Sequence, residues 1–170
     1  MKIFKIIFLF VLFLCTLLCV DEIIYTPLNK KYINDLFFDY RGKIDCCYKK
    51  DFIGWSRGDI FDFSIYTLDN AKVSLAYPVW DEFWISKNIH KENVFYTKWR
   101  KCPIDSIIYG QYNFMLNEII SKTSYGKIFE EELNKESNYF SVLYINPIEM
   151  YFFLYNPTLK QLYYSRKIGF

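Results

Sequence analysis

Asp81 and Glu82 stand side by side between Trp80 and Trp84 in the stretch YPVWDEFW. Glycoside hydrolysis uses two carboxyls held about 5 to 9 Å apart across the scissile bond, and aromatic faces stack on sugar rings. Neighbouring carboxylates cannot converge on one bond, so either acid would need a second one from elsewhere, Asp62 or another distant acid. The competing reading is structural: Trp80, Phe83 and Trp84 clamp a loop onto a sheet, and the two acids stay in water.

His90 is the lone histidine. It could serve as a base toward Cys47 or Cys102, but no local nucleophile signature surrounds either thiol, and the polar run SKNIHKEN reads as a solvated loop. The chain has no Gly-rich phosphate loop, no G-x-S-x-G elbow and no H-E-x-x-H, so no cofactor is expected. One histidine and no spaced cysteine pair cannot complete four metal ligands. The tripeptide Arg57, Gly58, Asp59 would be legible to an adhesion receptor only on a protruding loop. Here Ile60 and Phe61 follow at once, which places Asp59 at the mouth of a strand. Asp59 and Asp62 are three apart, facing different sides of a strand, and make a poor carboxylate pair.

The first twenty residues differ in composition from all that follows. Lys2 and Lys5 precede fifteen uncharged, mainly apolar residues, Ile6 to Val20, and Asp21 and Glu22 close the run. That is the layout of an export signal or signal anchor. A helix of fifteen residues reaches about 22 Å against a hydrocarbon core of roughly 30 Å, and including Ile3 and Phe4 with Lys5 snorkelling gives about 27 Å. No A-x-A spacing marks a cleavage point, and Leu precedes both Cys15 and Cys19, against lipidation. Residues 1–20 are thus expected to engage a membrane, with 21–170 forming a single extracytoplasmic domain, anchored or secreted.

The net charge is +2, and setting Lys2 and Lys5 aside leaves 19 basic residues against 19 acidic ones. A neutral body lacks the electrostatic footprint of a nucleic-acid binder. Aromatics form 22% of the chain, but Ala occurs only at 71 and 76 while Ile, Lys, Asn, Phe and Tyr abound, a bias that reflects an AT-rich genome more than a binding platform. Three cysteines follow the leader. In KIDCCY, strand alternation puts Ile44, Cys46 and Tyr48 on one face, read as the buried one, so the expected bridge is Cys46 to Cys102, worth roughly 3 to 4 kcal/mol; three reduced thiols are the alternative.

The elements that must position these groups follow from punctuation and period. Thr26, Pro27 and Gly42 bracket a helix predicted over 27–41, with Gly42 ending it in a left-handed conformation. A short strand is expected at 44–48. DIFDFSIYTL alternates, Phe61, Phe63, Ile65 and Thr67 facing one side and Asp62, Ser64 and Tyr66 the other, as a half-buried strand that turns at Asp69 and Asn70 into a hairpin partner carrying Val73, Leu75 and Tyr77. A third strand is expected near 94–102. Asp105 or Ser106 caps a helix bearing Ile107, Ile108, Tyr112, Met115, Leu116, Ile119 and Ile120, and GKIFEEELNKE adds a short one. Three strand-like runs at the C-terminus, split by Asn146 with Pro147 and Asn156 with Pro157, form a meander. The order gives an α+β fold: an antiparallel sheet packed by two or three helices, behind an apolar signal or anchor helix.

The expected function is binding or structure, without catalysis: an envelope component, an inhibitor, or a module that captures a protein or glycan. The surface singled out is the segment 78–90 with Trp55, and its residues are Trp55, Trp80, Asp81, Glu82, Trp84 and His90. The alternatives are a glycan hydrolase using Asp81 or Glu82, and adhesion through Arg57 to Asp59.

Overall fold

A computed structural model describes residues 7–13, 30–54, 58–80 and 94–169. The chain divides into two units, Met1–Tyr32 and Ile33–Phe170. In the first, residues 7–13 are helical (α1). Among the described residues no helix is long and apolar enough to cross a membrane.

The larger unit is built on an antiparallel sheet of seven strands: β1 (Ile44–Asp51), β2 (Ile60–Leu68), β3 (Phe95–Tyr96), β4 (Arg100–Lys101), β5 (Tyr139–Asn146), β6 (Glu149–Asn156) and β7 (Gln161–Ile168). Their order is β1-β2-β7-β6-β5-β3, with β4 also pairing β5. The C-terminal meander is present as read from the sequence. β7 then pairs with β2 along its length, Ile60 opposite Ile168 and Thr67 opposite Gln161.

β2 is buried on both faces. Phe61, Phe63 and Ile65 point into the core with Phe140, Val142, Phe152, Leu154 and Tyr163, roofed by α3 (Ser106–Lys122) and α4 (Gly126–Leu133). Ile108, Tyr112, Met115, Leu116 and Ile119 form the buried stripe of α3, and Asp105 caps it, its Oδ1 accepting the Ile108 amide at 2.9 Å. Ile107, on the other side, is 81% exposed. The second face of β2, expected to meet water, is buried as well, because a second layer of side chains covers the sheet there. Ile33, Leu36, Phe37, Tyr40 and Trp99 pack on that side, the Phe37 ring 4.9 Å from Tyr155 and the Trp99 indole donating to the Leu36 carbonyl at 2.7 Å.

Three expectations need correction. The helix predicted over 27–41 is described from Lys30 and ends at Leu36 (α2), while 27–29 lie outside the described residues. Asp39, not Gly42, adopts the left-handed conformation, at φ 48°. Gly42 serves a close approach instead, since a Cβ there would lie 2.0 Å from the Asp69 carbonyl oxygen. The hairpin partner at Val73–Tyr77 does not form a strand: both edges of β2 are taken by β1 and β7, so 71–79 crosses toward α2, with the Val79 amide bonded to the Asp35 carbonyl. The strand expected at 94–102 is reduced to β3 and β4, separated where Trp99 turns into the second face.

Candidate functional site

Of the residues singled out from the sequence, Trp55, Asp81, Glu82, Trp84, His90 and also Arg57 lie outside the described residues. Trp80 is described and half-buried, its indole 5.5 Å from the Phe153 ring on the second face of the sheet. At the start of the singled-out segment, then, one tryptophan makes the structural clamp. Around it the surface is apolar. Ser74 accepts the Tyr77 amide to close a turn whose tip is Leu75 and Ala76, not the Gly, Asn, Asp or Pro that turns favour. Leu75 is 70% exposed, Val79 53% and Phe38 62%, and Phe38 meets Tyr77 edge to face at 5.6 Å. Beside Phe38 opens a cleft of about 400 Å³ lined by Asp39, Arg41, Gly42, Asn70 and Lys72.

The second cluster was not singled out from the sequence. Asp62 on β2 and Arg166 on β7 face each other in register. Arg166 Nε donates to both carboxylate oxygens, at 3.2 and 3.0 Å, and Nη2 lies 3.0 Å from Oδ2. Asp62 is 3% exposed. Burial holds its carboxyl above the usual range, with the Arg166 charge and hydrogen bonds pulling it down and Asp51 adding to the rise. Burial pulls Arg166 down, but Tyr164 and Asp62 outweigh it, so the guanidinium stays charged. Along the same face Ser64 Oγ and Tyr66 OH are buried without a hydrogen-bond partner. Burial also raises the Tyr66 and Tyr164 phenols, keeping both protonated, the Ser64 hydroxyl beside Tyr66 opposing the rise there without meeting hydrogen-bond geometry. The row has donors and one neutralised carboxylate, but no nucleophile with an adjacent base.

No protein family, curated protein or solved structure matches this chain.

Asp62 cannot readily pair with Asp81 or Glu82 as a second catalytic acid, because Arg166 occupies both of its oxygens. Asp59 is exposed at the start of β2, but its carboxylate lies against the Gly169 backbone, where a Cβ would be 2.0 Å from Oδ1. Among the described residues no group of three His, Cys, Asp or Glu is placed to hold a metal ion. A third polar cluster is structural: the buried Glu132 carboxylate accepts Asn138 Nδ2 at 2.6 Å and Asn156 Nδ2, and pairs with Lys135, tying α4 to the β6–β7 turn.

The cysteines are placed differently from the expected bridge. All three are free, Cys46 and Cys47 exposed on β1 and Cys102 buried in the core. A β-bulge between Cys46 and Tyr48 breaks the alternation. Cys46 pairs with Tyr66 on the second face, whereas Tyr48 pairs with Ile65 and packs on Phe63 under the helices. Cys46 and Cys102 thus lie on opposite faces, and no bridge joins them. A bulge leaves no strong mark in sequence, so the error was built into the assumption of strict period two.

Proposed function

We propose that this chain is an exported, non-catalytic binding or structural domain, tethered to a membrane by residues 1–20 or released from it, that captures a protein or glycan. The observation that carries the reading is the exposed apolar group Phe38, Leu75 and Val79, where the segment 78–90 begins. An apolar turn tip is costly in water unless something covers it, and exposed apolar clusters mark interaction sites. The neutral charge balance beyond the leader supports a partner other than nucleic acid. A hydrolase reading would require an acid other than Asp62 to work with Asp81 or Glu82.

Two measurements test the proposal. Fractionation of native cells should place the chain in the membrane fraction or the medium; the intact chain in the soluble cytosol would overturn export. The full chain, immobilised and offered an envelope extract and a glycan array, should retain a partner that Leu75→Glu with Val79→Glu loses at unchanged Tm. Equal retention by that variant would overturn the assignment of the surface.

A further inference from the structure

β1 lies at one end of the strand order, so one of its backbone edges has no strand beside it among the described residues. Seven of its eight residues run Asp45 to Asp51, and all of these but Tyr48 are exposed. Such an edge is a template for another strand. It carries both exposed thiols of the domain.

Among the described residues, the fold blocks every bridge these thiols might make within the chain. Cys46 faces the Tyr66 side of the sheet. Cys47 faces the other side, its Sγ 3.0 Å from Thr67 Oγ1, so the adjacent pair points apart. Cys102 sits beside β5, its amide bonded to the Asn138 carbonyl. From β1 to β5 is four strand steps, about 19 Å at the usual spacing, against a limit near 7 Å between the Cα atoms of a disulfide. Among the described cysteines, neither exposed thiol has a disulfide partner within the chain, so a bridge between β1 thiols must join two molecules.

We propose that the β1 edge is a homodimerisation surface, on which two copies pair antiparallel about a two-fold axis at the bulge and Cys47 is bridged to Cys47 of the second copy. The charge pattern selects this register. Keeping like faces together through the bulge, a two-fold axis at Cys47 and Tyr48 sets Asp45 opposite Lys50 of the other copy, twice by symmetry. Centring on Cys46 instead would set Lys43 opposite Lys50, two like charges. Partial burial also raises the Cys46 thiol, which lowers its thiolate fraction at neutral pH. The bulge and the lysines discourage indiscriminate strand addition, and the self-complementary register is the one in which Lys50 meets an acid.

The oxidant is a small-molecule disulfide. The Cys47 thiolate attacks it, forming a mixed disulfide and expelling one thiolate; Cys47 of the second copy attacks the protein sulfur and expels the other. Two protein thiols are oxidised and one donor disulfide becomes two thiols. In the cell the step rests on the export reading above, since a reducing cytosol would reverse it.

Full-length chain in detergent, incubated with oxidised glutathione, should run as a covalent dimer on non-reducing electrophoresis, with a Cys47–Cys47 linked peptide by mass spectrometry. Cys47→Ser should abolish the dimer and Cys46→Ser leave it. Lys50→Glu should slow its formation about tenfold or more, and Asp45→Lys with Lys50→Asp restore it. A dimer that survives Cys47→Ser, indifference to Lys50→Glu, or glutathionylated monomer alone would overturn the proposal. Dimerisation in vitro with reduced, cytosolic chain in native cells would uphold the surface and overturn export.

Discussion

The two faces of the sheet solve burial in different ways. Under α3 and α4 the layer is mostly apolar, with Phe63, Phe129, Phe152 and Tyr163 linked by ring contacts and the Glu132 cluster as its buried charge. The opposite face buries an ion pair, Ser64, Ser141 and the Tyr66 and Tyr164 phenols beside its Leu and Phe side chains. An amphipathic helix offers a continuous greasy stripe, so whatever faces it can be wholly apolar. The second face is met by the short α2 and by irregular segments, whose own backbone groups need partners, as when Ser141 Oγ donates to the Thr97 carbonyl at 2.7 Å. Apolar burial gives stability without direction, whereas a paired charge fixes the register of β2 against β7 at the cost of desolvation.

The apolar layer depends most on Phe129. Truncation to Ala empties a site among three aromatic rings, and should cost about 4 kcal/mol in urea unfolding, with the loss tracking cavity volume. A loss under about 1 kcal/mol would mean the helix layer is not the principal core.

On the charged face the expected pattern is non-additive. Arg166→Met leaves Asp62 buried alone and should cost about 3 kcal/mol near neutral pH, while Arg166→Met with Asp62→Leu should recover most of it. The pH dependence follows from the sign of the shift. Asp62 in the folded state already lies above its unfolded value, so its contribution is fully present in acid below that value and is lost as pH rises through the folded one. Removing the guanidinium raises the folded value further. The single variant should therefore be less destabilised at about pH 4.5 than at neutral pH, because a protonated Asp62 needs no counter-charge. An equal loss at both would show that Asp62 is not the group left exposed to the penalty.

Local signals carried much of this fold. The meander, α3 with its Asp105 cap, and α4 were legible because each depends on residues within one or two turns of one another. What was illegible is what depends on pairing at a distance. Nothing near Asp62 in sequence announces Arg166, 104 residues on, and only the β2–β7 register makes the pair. The same pairing removed the hairpin expected at Val73, and the distant layer of Phe37 and Trp99 turned a half-buried strand into a fully buried one. Of the six residues singled out for the surface, Trp80 alone is described, and it packs on Phe153; in the exposed apolar group, Leu75 was assigned to a strand and Phe38 was not singled out. The error at Leu75 comes from reading an apolar residue in an alternating run as core.

Asp105→Ala tests the helix layer more gently. It removes the cap bond to the Ile108 amide and also the 2.9 Å ion pair to Arg100, and should cost about 1 kcal/mol, the exposed ion pair adding little. Asp105→Asn should retain most of the stability, since the amide oxygen can still cap.

The smallest expected change bears most directly on whether the two faces are independent. Gly110 lies on the solvent side of α3, and a Cβ there would meet nothing within 4 Å. Gly110→Ala should therefore stabilise by about 0.5 to 1 kcal/mol, through lower backbone entropy in the unfolded chain and better helix propensity. Gly110 and Arg166 touch opposite layers. Combined in one chain, Gly110→Ala and Arg166→Met should add within about 0.5 kcal/mol if the sheet separates the layers energetically. A larger coupling would mean that α3 senses the ion pair through β7, and that the apolar and charged faces fold as one cooperative unit instead of two layers sharing a sheet.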